Sequence, residues 1–188
     1  TGQCENLSSD EIEKLENHTL NQITTICWRN SELNFENLKN LISSLDKKSN
    51  NEILKRIYEC EDEKVLKFLL KNDEKIKNLI SKDLVKILWE CCQIPDFSKK
   101  AYGNHIEIVK KVFEFLTSKL GKVTNEYMKK QLEYLDRYNG NIDTLTNRIS
   151  NVRTWSYVAN KKNWVTNQDY WVERTKNIED KLSDKLHE

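Results

Sequence analysis

Proline occurs once in this 188-residue chain and glycine four times. With so few residues that break or stop a helix, long helices are the expectation. No apolar run approaches the ~18 residues that a bilayer-spanning helix requires. No secretory leader is visible, so a membrane partner is not expected. Charge of one sign is also missing: 31 Lys and Arg face 30 Asp and Glu, a net charge of +1. A nucleic-acid role therefore has to rest on a local patch. Paired CxxC thiols are absent. Cys4, Cys27, Cys60, Cys91 and Cys92 are odd in number and scattered, the pattern of reduced thiols in a cytoplasmic protein rather than of a disulfide framework. The chain starts at Thr1 without a Met and stops at Glu188 inside an amphipathic pattern. Both ends read as boundaries within a longer protein.

What is present is a series of apolar stripes at helical spacing. Ser8 or Ser9 caps a first short helix with Asp10 and Glu11 in its first turn and Ile12 and Leu15 on its stripe. The stretch from Leu20 to Asn34 fits either an extended segment or a short helix. Asn34 is placed to cap a helix carrying Phe35, Leu38, Leu41, Ile42 and Leu45 on one face. Helical positions follow at Ile53, Leu54 and Ile57, at Val65, Leu66, Leu69 and Leu70, and at Ile76, Leu79 and Ile80. The stretch from Leu84 to Cys92 is apolar almost all round, which predicts a central, buried helix that Pro95 ends. Trp89, Leu88 and Cys91 should then pack near Ile106, Val109 or Phe113, which stripe the next helix. Gly121 fits a left-handed stop after that helix, and Thr124 a cap for one running to Tyr138.

After the turn at Asn139 and Gly140, two long helices are expected. One carries Ile142, Leu145, Ile149, Val152, Ser156 and Ala159 on a seam; the other carries Trp171, Ile178, Leu182 and Leu186. Asn167 is a capping candidate between them. The pattern predicts an all-α chain: a bundle of short helical hairpins with a long C-terminal helical hairpin. Residues 1–121 read as one helical subdomain and 122–188 as the hairpin packed on it.

Catalytic chemistry finds little support. Gly121, Lys122, Val123 and Thr124 resemble a phosphate loop only superficially: Leu116 stands where the first glycine belongs, and Val123 where Ser or Thr belongs. His18, His105 and His187 form no metal-ligand spacing. Cys91 or Cys92 with His105 would make a thiol hydrolase, but a thiol in so apolar a helix is inert. These residues read as core cysteines and a surface histidine. Glu59, Glu61, Asp62 and Glu63 read as a solvated acidic face at a helix start.

One segment rises above this background. Between Asn141 and Val165, Arg148, Arg153, Lys161 and Lys162 face the lone Asp143, giving a local charge of +3. Trp155, Tyr157 and Trp164 interleave with them. Cations for phosphates and flat rings for bases are the means of single-stranded RNA recognition. Trp155, beside the seam, reads as core. Arg148, Arg153, Lys161, Lys162, Tyr157 and Trp164 are the candidate RNA-binding residues. Asn160 fits either a helix cap or a polar contact.

The same region resembles a known family. Leu135-Asp136-Arg137, Gly140-Asn141-Ile142-Asp143-Thr144-Leu145, Arg148-Ile149 and Arg153-Thr154-Trp155-Ser156-Tyr157-Val158-Ala159-Asn160 are similar to the C-terminal region of bacterial relatives of the mitochondrial degradosome RNA helicase, a superfamily-two DExH-type family. The run from Glu179 to Glu188 is similar too. So are Trp28-Arg29-Asn30 and the run from Leu88 to Phe97. The resemblance implies an ATP-dependent helicase with two RecA-like domains followed by helical accessory domains. Thr1-Gly2-Gln3-Cys4 resembles the exit from the second RecA-like domain, so the ATPase motifs, with their ATP and Mg, would lie upstream. On this resemblance the chain is non-catalytic and carries no cofactor, and it borders the RNA path. Its partners would be RNA, the RecA-like domains and, in some relatives, a ribonuclease that degrades the RNA. Lys, Asn and Ile stand at many positions where the family has Ala and Arg.

Overall fold

Capping and periodicity account for most of the helices. The computed structural model describes residues 12–13, 16–17, 25–58, 60–99 and 102–187. Among these, helix accounts for 62% and strand for 5%, so the all-helical expectation holds. The expected first-helix positions Ser8 to Glu11 and Leu15 lie outside the described residues, as do Cys4, His18 and Glu59.

The first described unit is β1 (Ile26–Trp28), α1 (Leu38–Leu45) and β2 (Leu54–Arg56). The strands pair in parallel, Ile26 with Leu54 and Trp28 with Arg56. Parallel strands need a crossover, and α1 supplies it. The segment around Ile26 is thus extended. Leu54 is also a strand residue, against the helix expected from Ile53, Leu54 and Ile57. The Asn51 side chain accepts from the Ile53 amide and starts the chain in a turn. Ile53 and Ile57 stay exposed while Arg56 turns inward. Helix α1 starts later than expected, because Asn37, not Asn34, is its cap and accepts from the Asn40 amide.

Helices α2 (Glu61–Asn72), α3 (Glu74–Lys77) and α4 (Lys82–Cys92) follow. Asp73 caps α3 through the Lys75 and Ile76 amides. Helix α4 is as central as its composition predicts: Val85, Leu88, Trp89, Cys91 and Cys92 are all buried. It packs against α5 (Tyr102–Leu116). Helix α5 ends before Leu120, which is exposed, and Gly121 then takes φ +65 at the end of the following turns. Thr124 caps α6 (Asn125–Glu133) through the Tyr127 amide. That helix stops short of Tyr138, whose hydroxyl donates instead to Asp136.

Helices α7 (Ile142–Asn160) and α8 (Gln168–His187) form the expected antiparallel hairpin. Asn141 caps α7 through the Thr144 amide. Leu145, Ile149, Val152 and Ala159 are buried on the predicted seam, and Trp171, Ile178 and Leu182 on the facing one. Ile142, at the open end, is exposed. The loop between the helices is tied back to the chain ahead of α6. Val123 N donates to Trp164 O at 2.8 Å, and Thr166 donates to Val123 O through its amide at 3.1 Å and its hydroxyl at 2.8 Å. One continuous core runs from Leu38 to Leu182.

The acidic run at the start of α2 is solvated at Glu61, which is exposed, but not along its whole length. Glu63 is 2% exposed. Its Oε2 accepts from Arg56 Nη2 at 3.1 Å, and its Oε1 lies 3.3 Å from Arg29 Nη2 without hydrogen-bond alignment. Asp62 accepts both terminal nitrogens of Arg29, at 2.9 and 3.0 Å. Arg56 also donates to Leu45 O and pairs with Asp46. Two arginines from the β1 and β2 strand ends thus clamp the α2 carboxylates, in a geometry suited to bidentate pairing. A cleft of about 340 Å³ opens beside Asp62, with His105 on its far wall.

Candidate nucleic-acid interface

Residues four apart on a helix share a face. Arg153 and Tyr157 share such a face on α7, and Lys161, the residue that caps its end, and Lys162 follow. Arg153 is half exposed, and its Nε donates to Glu179 on α8 at 2.7 Å. Lys161 Nζ lies 5.1 Å from the Tyr157 ring centre and 5.7 Å from that of Trp164. Such contacts hold a cation over an aromatic face. Lys162 is exposed.

The loop is shaped by local chemistry. Asn163 and Asn167 take φ of 65 and 52, values that Asn tolerates better than most residues. Gln168 Nε2 donates to the carbonyls of Ala159 and Lys161, satisfying the end of α7. Asn160 makes a local contact, donating to Ser156 O at 2.8 Å. Asn167 contributes its left-handed backbone and its carbonyl, which the Trp171 amide meets.

Two of the six candidates depart from the sequence expectation. Arg148 is 7% exposed and is no surface cation. Its Nη1 donates to Arg137 O at 2.7 Å and Asn139 O at 2.6 Å, and the guanidinium lies 5.5 Å from the Tyr134 ring centre. The reason is legible afterwards: Arg148 stands three residues after Leu145 and four before Val152, inside the apolar stripe. Trp164 is 6% exposed, so its ring is a core wall and not an open stacking platform. Tyr157 is half-buried beneath Lys161. Trp155 is in the core, 2% exposed, as expected. The structure therefore brings Arg153, Tyr157, Lys161 and Lys162 to one edge and removes Arg148 from it.

His105, expected at the surface, is buried. Burial lowers its pKa, against an opposing effect of Asp96. Cys91 and Cys92 are buried as expected, and burial pushes both thiols well above their usual range. They are protonated and shielded, which disfavours a nucleophilic role. A thiol-reactive probe on the folded chain is expected to label exposed Cys27 readily and to leave Cys91 and Cys92 unmodified until denaturant is added. Mass mapping of the labelled peptides checks this, and rapid labelling of Cys91 or Cys92 in the native state would revive the hydrolase reading. Among the described residues, no group of three or more His, Cys, Asp or Glu is placed to hold a metal ion. No helix among them is long and apolar enough to cross a membrane. Comparison with known proteins returns no match to a family model, a curated protein or a solved structure.

Proposed function

We infer that this chain is the non-catalytic helical accessory region of a cytoplasmic, ATP-dependent RNA helicase, which buttresses the RecA-like motor and guides single-stranded RNA. The observation that carries this reading is a chain of contacts between the family-like segments. They lie far apart in sequence, yet each touches the next. Arg29, in the Trp28-Arg29-Asn30 segment, lies 5.2 Å from the Trp89 ring centre, in the segment ending at Phe97. Pro95 O of that segment accepts from Thr154 Oγ1 at 3.1 Å. Arg153, beside Thr154, pairs with Glu179 of the last segment. A set of residues that meets in one fold is what a shared accessory domain would keep together.

The second reading is a protein-interaction scaffold that docks a helicase core or a ribonuclease without touching RNA. The net charge of +1 and the burial of Arg148 favour it. Salt dependence separates the two. For single strands, each phosphate contact contributes a slope of roughly −0.7 in log affinity against log salt, so Arg153, Lys161 and Lys162 together give about −2. Uridine-rich RNA should bind the chain weakly with that slope. Replacing all three by Ala should weaken binding and flatten the slope together. Unchanged binding with an unchanged slope would leave the scaffold reading in its place.

A further inference from the structure

The α7 edge offers cations but little open aromatic surface: Trp155 and Trp164 are buried, and Lys161 lies over Tyr157. An open pair of rings stands elsewhere. Phe68 on α2 and Tyr102 at the start of α5 are 40% and 38% exposed. Their ring centres are 5.7 Å apart and their planes meet at 83°. In such an edge-on pair, the ring that presents its edge keeps both of its faces clear of its partner.

The cations beside this pair follow from the pattern of α2. Lys64, Lys67, Phe68 and Lys71 stand at positions i, i+3, i+4 and i+7, which is one face of a helix. Val65, Leu66 and Leu69 are buried on the other side. Glu61 continues the exposed face, but Lys64 already pairs with it at 2.8 Å. Lys67 and Lys71 are exposed and, among the described residues, have no ion-pair partner. Three lysines against one glutamate leave this face at +2.

Rings and cations together select among polyanions. An aromatic face carries the negative side of its quadrupole, so it repels a carboxylate. It stacks well on the flat face of a base, whatever the base. Unpaired lysines beside it suit the phosphates on either side of that base. An acidic peptide would use the lysines and leave the rings idle.

We propose that the Phe68–Tyr102 pair is a stacking platform for a base of single-stranded RNA, with Lys67 and Lys71 on the flanking phosphates. Resting on the RNA reading above, this gives the strand a second place of contact, on α2 and α5. A uridine strand carrying photoreactive iodouridine, bound to the whole chain and irradiated, should crosslink to Phe68 or Tyr102. Phe68→Leu with Tyr102→Leu keeps the apolar cover and removes the rings. It should weaken binding about tenfold at an unchanged salt slope, with the thermal midpoint near the parent's. Lys67→Ala with Lys71→Ala should instead flatten the slope by about 1.4, at roughly 0.7 per contact. Polyglutamate should compete poorly with the RNA. Crosslinks confined to α7, with affinity indifferent to the loss of both rings, would overturn the platform and leave the α7 contact standing. Equal competition by polyglutamate would also overturn it and make the face a site for acidic protein. Absence of RNA binding by the parent chain would remove both contacts together.

Discussion

Glu63→Ala is expected to destabilise the chain by about 3–5 kcal/mol, the cost of breaking a buried ion pair from one side. The Glu63 and Arg56 side chains are only 3% and 5% exposed. Without the carboxylate, Arg56 keeps Leu45 O and the half-exposed Asp46, but its buried face loses its counter-charge. Arg29 keeps Asp62, so the loss centres on Arg56. Salt should change the result little, because buried pairs are poorly screened. A second variant isolates the cause. Glu63→Leu combined with Arg56→Met removes both charges and should recover much of the loss, since no charge is then left desolvated. Urea unfolding followed by circular dichroism measures both. A loss below about 1 kcal/mol in Glu63→Ala would mean that the pair behaves like a surface ion pair.

Arg148→Met is the second large effect, at about 2–4 kcal/mol. It removes two hydrogen bonds from a charged donor, each worth about 1.5–3 kcal/mol, and orphans the carbonyls of Arg137 and Asn139. Part of that is offset, because the buried Arg148 Nε has no partner to lose. The same variant discriminates between functions. Measured well below its unfolding temperature, its RNA affinity should keep the parent's salt slope, since a buried arginine releases no counterion. A flattened slope with unchanged stability would return Arg148 to the RNA edge.

The contrast between these arginines and Lys162 marks what the sequence could reveal. Helices α7 and α8 were legible because their apolar residues recur every three or four positions, α4 because it is apolar almost all round, and the start of α6 because Thr124 is an efficient cap. The β1–α1–β2 unit was not. Ile53, Leu54 and Ile57 satisfy a helical spacing, and only pairing with a strand more than twenty residues away decides against it. The clamp on Glu63 was hidden for a related reason: an acidic first turn looks solvated until Arg56, seven residues before it, and the distant Arg29 fold over it. At the candidate site, Arg153 and Lys162 are exposed, as their charge suggested. Arg148 was misplaced because its charge was weighed above its position on the buried stripe. His105 was misplaced because nothing local announces that the 94–96 turn covers it.

The bonds between Val123, Trp164 and Thr166 fasten the α7–α8 hairpin at its tip, while Ile142 and Leu186 lie at the open end. A hairpin held only by its base would swing as a flap. Fastened at the tip, this one behaves as a strut. Load on the open end would reach the backbone just ahead of α6 through these bonds at Val123.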